Sequence, residues 1–296
     1  MTLRNILIGA AAALTATLAA ATPSLPVEKK IAVVAAENFY GDVARQIGGE
    51  RVSVISVLGN PDQDPHLFET APSLVRQIAA ADVIIYNGAA YDPWMDKLLT
   101  VTAAPGRAVL VAADLVHKQA GADAHLWYDP PTMPAVATAL ATTLSTIDPA
   151  HKNDYAARLQ TFLASLAPLN EKIAAIAEKY GGAPVTATEP VFGYMAAALG
   201  LAMRNAAFQI AVMNNTEPSA RDLAQFEQDL KTHKVRLMFY NTQASDRLVR
   251  RLVDLARAAN VPVVGVTETC PPDLSYQAWV LRALEATEKA LAGPAS

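Results

Sequence analysis

"PAHKNDYAARLQTFLASLAPLNEKIAAIAEKY", residues 149–180, decides the fold. Leu, Ala and Ile recur in it at helical spacing, and no strand pattern interrupts them. Gly181 and Gly182 follow, as glycine commonly does after a helix. Pro168 is the only breaker inside it and predicts a kink or a helix junction.

On either side of this stretch, short apolar β-rich runs alternate with helical ones. Before it, "KIAVVAA" (30–36), "RVSVISVLG" (51–59), "ADVIIYNG" (81–88) and "AVLVAAD" (108–114) read as buried strands. "NFYGDVARQIGG", "PSLVRQIAAA", "DPWMDKLLT" and "TMPAVATALATTLSTID" read as helices. After it, "APVTATE", "AAFQIAV", "VRLMFYN" and "VPVVGVTET" read as strands, and "FGYMAAALGL", "SARDLAQFEQDLKTH", "ASDRLVRRLVDLARAAN" and "LSYQAWVLRALEATEKALAG" as helices. Such alternation predicts parallel sheets with helical crossovers. The economical fold is α/β: one lobe over 28–148, a helical linker over 149–181 and a second lobe over 182–296.

The chain start, "MTLRNILIGAAAALTATLAAATPSLP", has a basic residue, an Ala/Leu-rich middle and small residues before Thr22. This layout predicts a cleavable secretory signal over 1–21 and a periplasmic mature protein. Cys270 is the only cysteine, so no internal disulfide can form and none lies near the cleavage site to take a lipid. With 52% hydrophobic and 18% charged residues, the chain has the composition of a folded globular protein. Its net charge of −4, without a Lys/Arg run, argues against nucleic acid as a partner.

A nine-residue phrase occurs twice, "DPHLFETAP" at 64–72 and "DAHLWYDPP" at 123–131. Both are Asp-x-His-Leu-aromatic-x-x-x-Pro, and each follows a predicted strand. In parallel α/β sheets, ligands gather beyond the carboxyl ends of the strands. His66 and His125 stand there in the first lobe, Glu189 and Glu268 in the second. Two neutral imidazoles and two carboxylates form a mixed N/O set of charge −2, suited to a divalent first-row metal in a cleft between the lobes. Asp64, Asp123 or Asp129 can orient an imidazole by accepting its other N–H. Spacing alone leaves open whether the four converge, and whether Glu37, His117 or Asn241 joins them.

The stretch at 64–99, with "AHLWYDP" (124–130), "EPSARDL" (217–223) and "GERVSVISVLGNPDQDPH" (49–66), resembles the solute-binding proteins of ABC importers for zinc, manganese and iron. The likeness covers essentially the whole mature chain. It implies two lobes on one long rigid linker helix, a metal held in the interlobe cleft, and no enzymatic activity. It implies a membrane ABC permease as partner to a monomer that carries Mn, Fe or Zn as its transported ligand. His66 and His125 match the family's first two ligands, Glu189 before the "FGY" phrase the third, and Glu268 in "TET" the fourth. The family's usual residue at the fourth position is Asp, so Glu268 departs by one methylene. Glu at the third position leans the site toward manganese or iron, while zinc remains a competitor by the Irving–Williams order. Two other functions are alternatives: a secreted zinc metallohydrolase using the same ligands, and a binder of a metal chelate such as haem or a siderophore in a related long-helix scaffold. The first lacks any His-Glu-x-x-His or Gly-x-Ser-x-Gly motif. The second needs Arg or aromatic chelate contacts rather than direct ligands.

Overall fold

The computed structural model describes residues 29–60, 65, 68–119, 121–214, 216–244 and 247–293. The signal segment 1–21, Asp64 and His66 lie outside the described residues. The first sheet holds β1 (Ile31–Glu37), β2 (Val52–Leu58), β3 (Val83–Tyr86) and β4 (Ala108–Val111) in the order β2-β1-β3-β4. The second holds β5 (Pro184–Ala187), β6 (Ala202–Met203), β7 (Met238–Asn241) and β8 (Val263–Val266) in the order β6-β5-β7-β8. All pairings are parallel. The two orders are the same topology, so each sheet has one switch point, β1/β3 in the first and β5/β7 in the second.

Helices flank both sheets. The first carries α1 (Asn38–Gly48), α2 (Pro72–Ala79), α3 (Pro93–Val101), the single turn α4 (Ala112–Leu115) and α5 (Thr132–Ile147). The link is α6 (Lys152–Ser165) and α7 (Ala167–Tyr180). The second sheet carries α8 (Gly193–Ala198), α9 (Ala206–Met213), α10 (Ala220–Lys231), α11 (Arg247–Ala258) and α12 (Tyr276–Ala292). Alternation along β1 sends Val33 and Ala35 to one buried cluster and Val34 and Ala36 to another beneath α2 and α3. The first cluster continues through Trp127 and Tyr128 into Val185, Ala187, Phe239 and Val264 of the second sheet, so one core crosses the seam.

One expectation needs correction. The segment 206–212, read as a strand, is the helix α9, and its sheet place is taken by the two-residue β6 just before it. A seven-residue apolar run fits a strand or a buried helix equally, and Asn205 in the left-handed region turns the chain between the two. The helical link runs as two successive helices, α6 and α7, that meet at the junction Pro168 predicts. The α6 ladder ends with a tight Leu166 N–H to Leu163 carbonyl bond, and α7 starts with Pro168 in its first turn. Proline has no N–H to continue the ladder, and its ring crowds the preceding turn.

An ion-pair cluster fastens α10 to the strand edge. Asp229, 1% exposed, accepts from Arg204 Nε (2.8 Å), Arg204 Nη2 (3.2 Å), Gln225 (2.8 Å) and Asn205 (3.2 Å). Burial pushes its pKa up, but these donors win and hold it below the usual carboxylate range. Asp229→Ala is expected to lower stability by about 1.5–3 kcal/mol, nearer the low end because Arg204 is partly exposed. A depressed carboxylate stabilises above its unfolded pKa and loses that as pH falls through the folded one. The gap between wild type and variant in urea unfolding is therefore full at neutral pH and shrinks in acid.

Candidate metal centre

His125 follows β4 and α4 and enters the short 3₁₀ turn Leu126–Tyr128, whose three side chains are fully buried. Burial of Trp127 and Tyr128 fixes the turn and aims the imidazole at the seam. Asp123 Oδ1 accepts from the His125 backbone N–H (3.1 Å) and sits 2.6 Å from Nδ1. Of the carboxylates proposed to orient this ring, Asp123 does so, while Asp129 lies 3.7 Å from the Lys118 ammonium. Three further contacts hold the loop. Asn87 Nδ2 donates to Ala124 O (2.8 Å), Tyr194 Oη donates to Asp123 O (2.9 Å), and Tyr276 Oη donates to Trp127 O (2.9 Å). Gly193 of the "FGY" phrase is needed for this docking, because a Cβ there would stand 2.8 Å from Asp123 Oδ2.

The second sheet brings two carboxylates to the same place. The pairing Ala187↔Phe239, extended by two residues, sets Glu189 abreast of Asn241, and Asn241 pairs with Val266, two residues before Glu268. Asn241 Nδ2 donates to Glu189 Oε2 (3.0 Å) and to Glu268 Oε1 (2.5 Å). Gln243 Oε1 accepts from the backbone N–H groups of Glu268 (2.6 Å) and Thr269 (3.1 Å), fixing the loop beyond β8. From the first sheet, Tyr91 Oη donates to Glu268 Oε2 (2.9 Å).

His125 Nε2 lies 3.8 Å from Glu268 Oε2. It is buried and has no hydrogen-bond partner among the described residues. Nδ1, turned to Asp123, takes the donor role in a neutral ring, which leaves Nε2 as a bare lone pair facing a carboxylate. Two acceptors in this position repel unless a proton or a cation stands between them. Burial, the largest single influence, opposes a charged ring. The Asp123 hydrogen bond, with the charges of Asp123, Glu268 and Glu189, outweighs it and raises the His125 pKa. A cavity of about 490 Å³, lined by Tyr91, Asp123, His125 and α9, leads from this point to solvent.

Thus His125, Glu189 and Glu268 share one buried locus with Asn241. Among the described residues, no group of three or more His, Cys, Asp or Glu side chains is arranged to hold a metal ion. The amide of Asn241 fills the space between the two carboxylates. Glu37 belongs to a neighbouring locus: both its oxygens lack hydrogen-bond partners among the described residues, and burial followed by the nearby Asp92 charge raises its pKa well above the carboxylate range. His117 is exposed. Tyr91 and Gln243 were not singled out from sequence. Their one signal is position, since each stands in a loop just past a strand at the ligand edge.

The family model for the zinc-uptake complex component A, periplasmic, matches residues 33–290. The chain belongs to that family. Its members are substrate-binding proteins of metal ABC importers, not enzymes. Similar relatives include the metal ABC transporter substrate-binding lipoprotein ScbA of Streptococcus cristatus, 23% identical over 79% of this chain and 78% of that protein. The manganese ABC transporter substrate-binding lipoprotein PsaA of Streptococcus anginosus is 23% identical over 79% of each. Among solved structures, the periplasmic zinc-binding protein TroA of Treponema pallidum aligns with a TM-score of 0.75 at 20% identity, over 89% of this chain and 99% of that one. The likeness to TroA extends to the two parallel sheets and their flanking helices.

Proposed function

We propose that this family member captures a single divalent first-row transition ion, Mn, Fe or Zn, between its two sheets and hands it to an ABC permease. Its ligands are His125, Glu189 and Glu268, joined by His66 from the other copy of the repeated phrase. The observation that carries this reading is the buried Nε2 of His125, without a hydrogen-bond partner among the described residues, held by Asp123 in the tautomer that a metal requires and facing Glu268. Apart from the metal, nothing in such a site needs to react. The network of Asn241, Gln243 and Tyr91 serves to keep two negative charges at one buried point.

On this reading the mature chain works in the periplasm as a soluble monomer. The two streptococcal relatives are named lipoproteins. Cys270, the sole cysteine in the sequence, is buried, and burial raises its thiol pKa to about 12.

The test is elemental analysis of the protein from its own periplasm, with calorimetric titration of the stripped protein by Zn²⁺ and Mn²⁺. One ion per chain is expected, and a stoichiometry near zero for every metal overturns the reading. Asp123→Asn exchanges the acceptor at Nδ1 for an amide that can present its N–H₂ and favour the wrong tautomer. Its affinity is expected to fall about 10–100-fold, the range typical of outer partners of a ligating histidine. Calorimetry at fixed pH checks this.

A further inference from the structure

Asn38 opens α1, and its side chain reaches across the seam to the loop beyond β8. Its Nδ2 donates to Cys270 O (2.6 Å), while its Oδ1 accepts from the Cys270 backbone N–H (2.9 Å), 232 positions away in the chain. One side chain thus makes the hydrogen-bond pair that a neighbouring strand would make. Only a primary amide offers a donor and an acceptor in that arrangement. The same face of α1 continues the attachment at helical spacing. Asp42, one turn on, accepts from the Tyr276 backbone N–H (2.9 Å), the first in α12, where a carboxylate also suits the positive end of the helix. Gln46, a further turn on, exchanges amide hydrogen bonds with Gln277 (3.0 and 2.8 Å). The segment 270–277 of the second lobe is therefore mounted on a helix of the first.

Glu268 stands two residues before this clasp. One residue before Glu268, Thr267 O accepts from Tyr128 Oη (3.1 Å). Tyr128 and Asn38 both belong to the first lobe, so that lobe grips the loop on either side of Glu268, and its Tyr91 meets the carboxylate itself. We propose that Asn38 is a positioning residue for metal capture: by clasping Cys270 it seats Glu268, carried by the second lobe, against His125 of the first. This assignment rests on the metal-capture reading above, with Glu268 as a ligand. A residue that merely fastened the lobes together would lower stability, and its effect on metal binding would not depend on whether Glu268 is present.

The test is a double-mutant cycle on the full mature chain, stripped of metal, with Zn²⁺ and Mn²⁺ as calorimetric probes. Asn38→Ala is expected to weaken both ions about tenfold, the lower end of outer-partner effects on a ligand. In a Glu268→Ala background the same change is expected to cost nothing further, because residues that act through one another are not additive. Wild-type affinity in Asn38→Ala, or a full tenfold loss in the Glu268→Ala background, overturns the proposal and leaves Asn38 a fastening between the lobes. A measurement on wild type alone covers the case in which the variants do not fold. If the clasp and the metal hold the same loop, Zn²⁺ at about 100 times its Kd should slow hydrogen exchange of the Cys270 backbone N–H about 100-fold. An unchanged exchange rate in the zinc-loaded protein overturns the proposal. If wild type binds neither ion, the metal-capture reading itself has failed and takes the role of Asn38 with it, an outcome distinct from the others.

Discussion

His125→Ala is expected to weaken zinc and manganese binding at least about 100-fold, beyond what the loss of an outer partner costs. The imidazole is the one nitrogen donor among the described residues at this locus, and its Nε2 has no competing hydrogen bond. Removing it leaves Glu189 and Glu268 tied to Asn241, with Tyr91 on the remaining Glu268 oxygen. Those carboxylates still attract a cation but lack the softer ligand that suits a transition metal. A second readout follows from linkage. A ligand at about 100 times its Kd stabilises the folded state by about 2.7 kcal/mol, which raises the melting temperature of wild type. The variant should melt at nearly the same temperature with and without metal. A variant that retains wild-type affinity and its metal-dependent shift would remove His125 from the site.

Much of this arrangement is legible in the chain, for identifiable reasons. The strands β1 to β5, β7 and β8 announce themselves because a parallel sheet buried on both faces needs continuous β-branched runs, and "AVV", "VII" and "VVGV" supply them. The segment 206–212 misleads because length and hydrophobicity do not separate a buried strand from a short helix. The decisive feature, Asn205 in a left-handed turn, is a backbone property. Asp123 is legible because two residues is the reach from a carboxylate to the imidazole and backbone of a following histidine. Asn241 shows only as a polar strand end, and its bridge between Glu189 and Glu268 emerges from the register of three strands. Tyr91 is harder still. Its hydroxyl meets Glu268 from 177 residues away, and nothing local in "NGAAY" encodes that contact.

The same seam that builds the site should dominate stability, and Trp127→Ala measures it. Trp127 is fully buried, with its ring 5.0 Å from Phe39, 4.9 Å from Tyr91 and 5.2 Å from His125, centroid to centroid. Phe39 stacks in turn on Trp279, and Tyr128 packs on Phe192 and Trp279, so the aromatic cluster joins α1 of the first sheet to α12 and the loop after β5. Truncation to Ala is expected to cost about 3–5 kcal/mol in urea unfolding, the usual range for a buried Trp or Phe. Trp127→Phe should cost much less than its lost volume suggests. The indole N–H is buried without an acceptor among the described residues, and removing an unsatisfied donor returns about 1–3 kcal/mol. The pair of variants separates packing from polarity. If Trp127→Ala unfolds with wild-type midpoint and slope, the two sheets do not share a core at this point, and the geometry that aims His125 at Glu268 must be held by the hydrogen bonds of Asp123, Asn87 and Tyr194 alone.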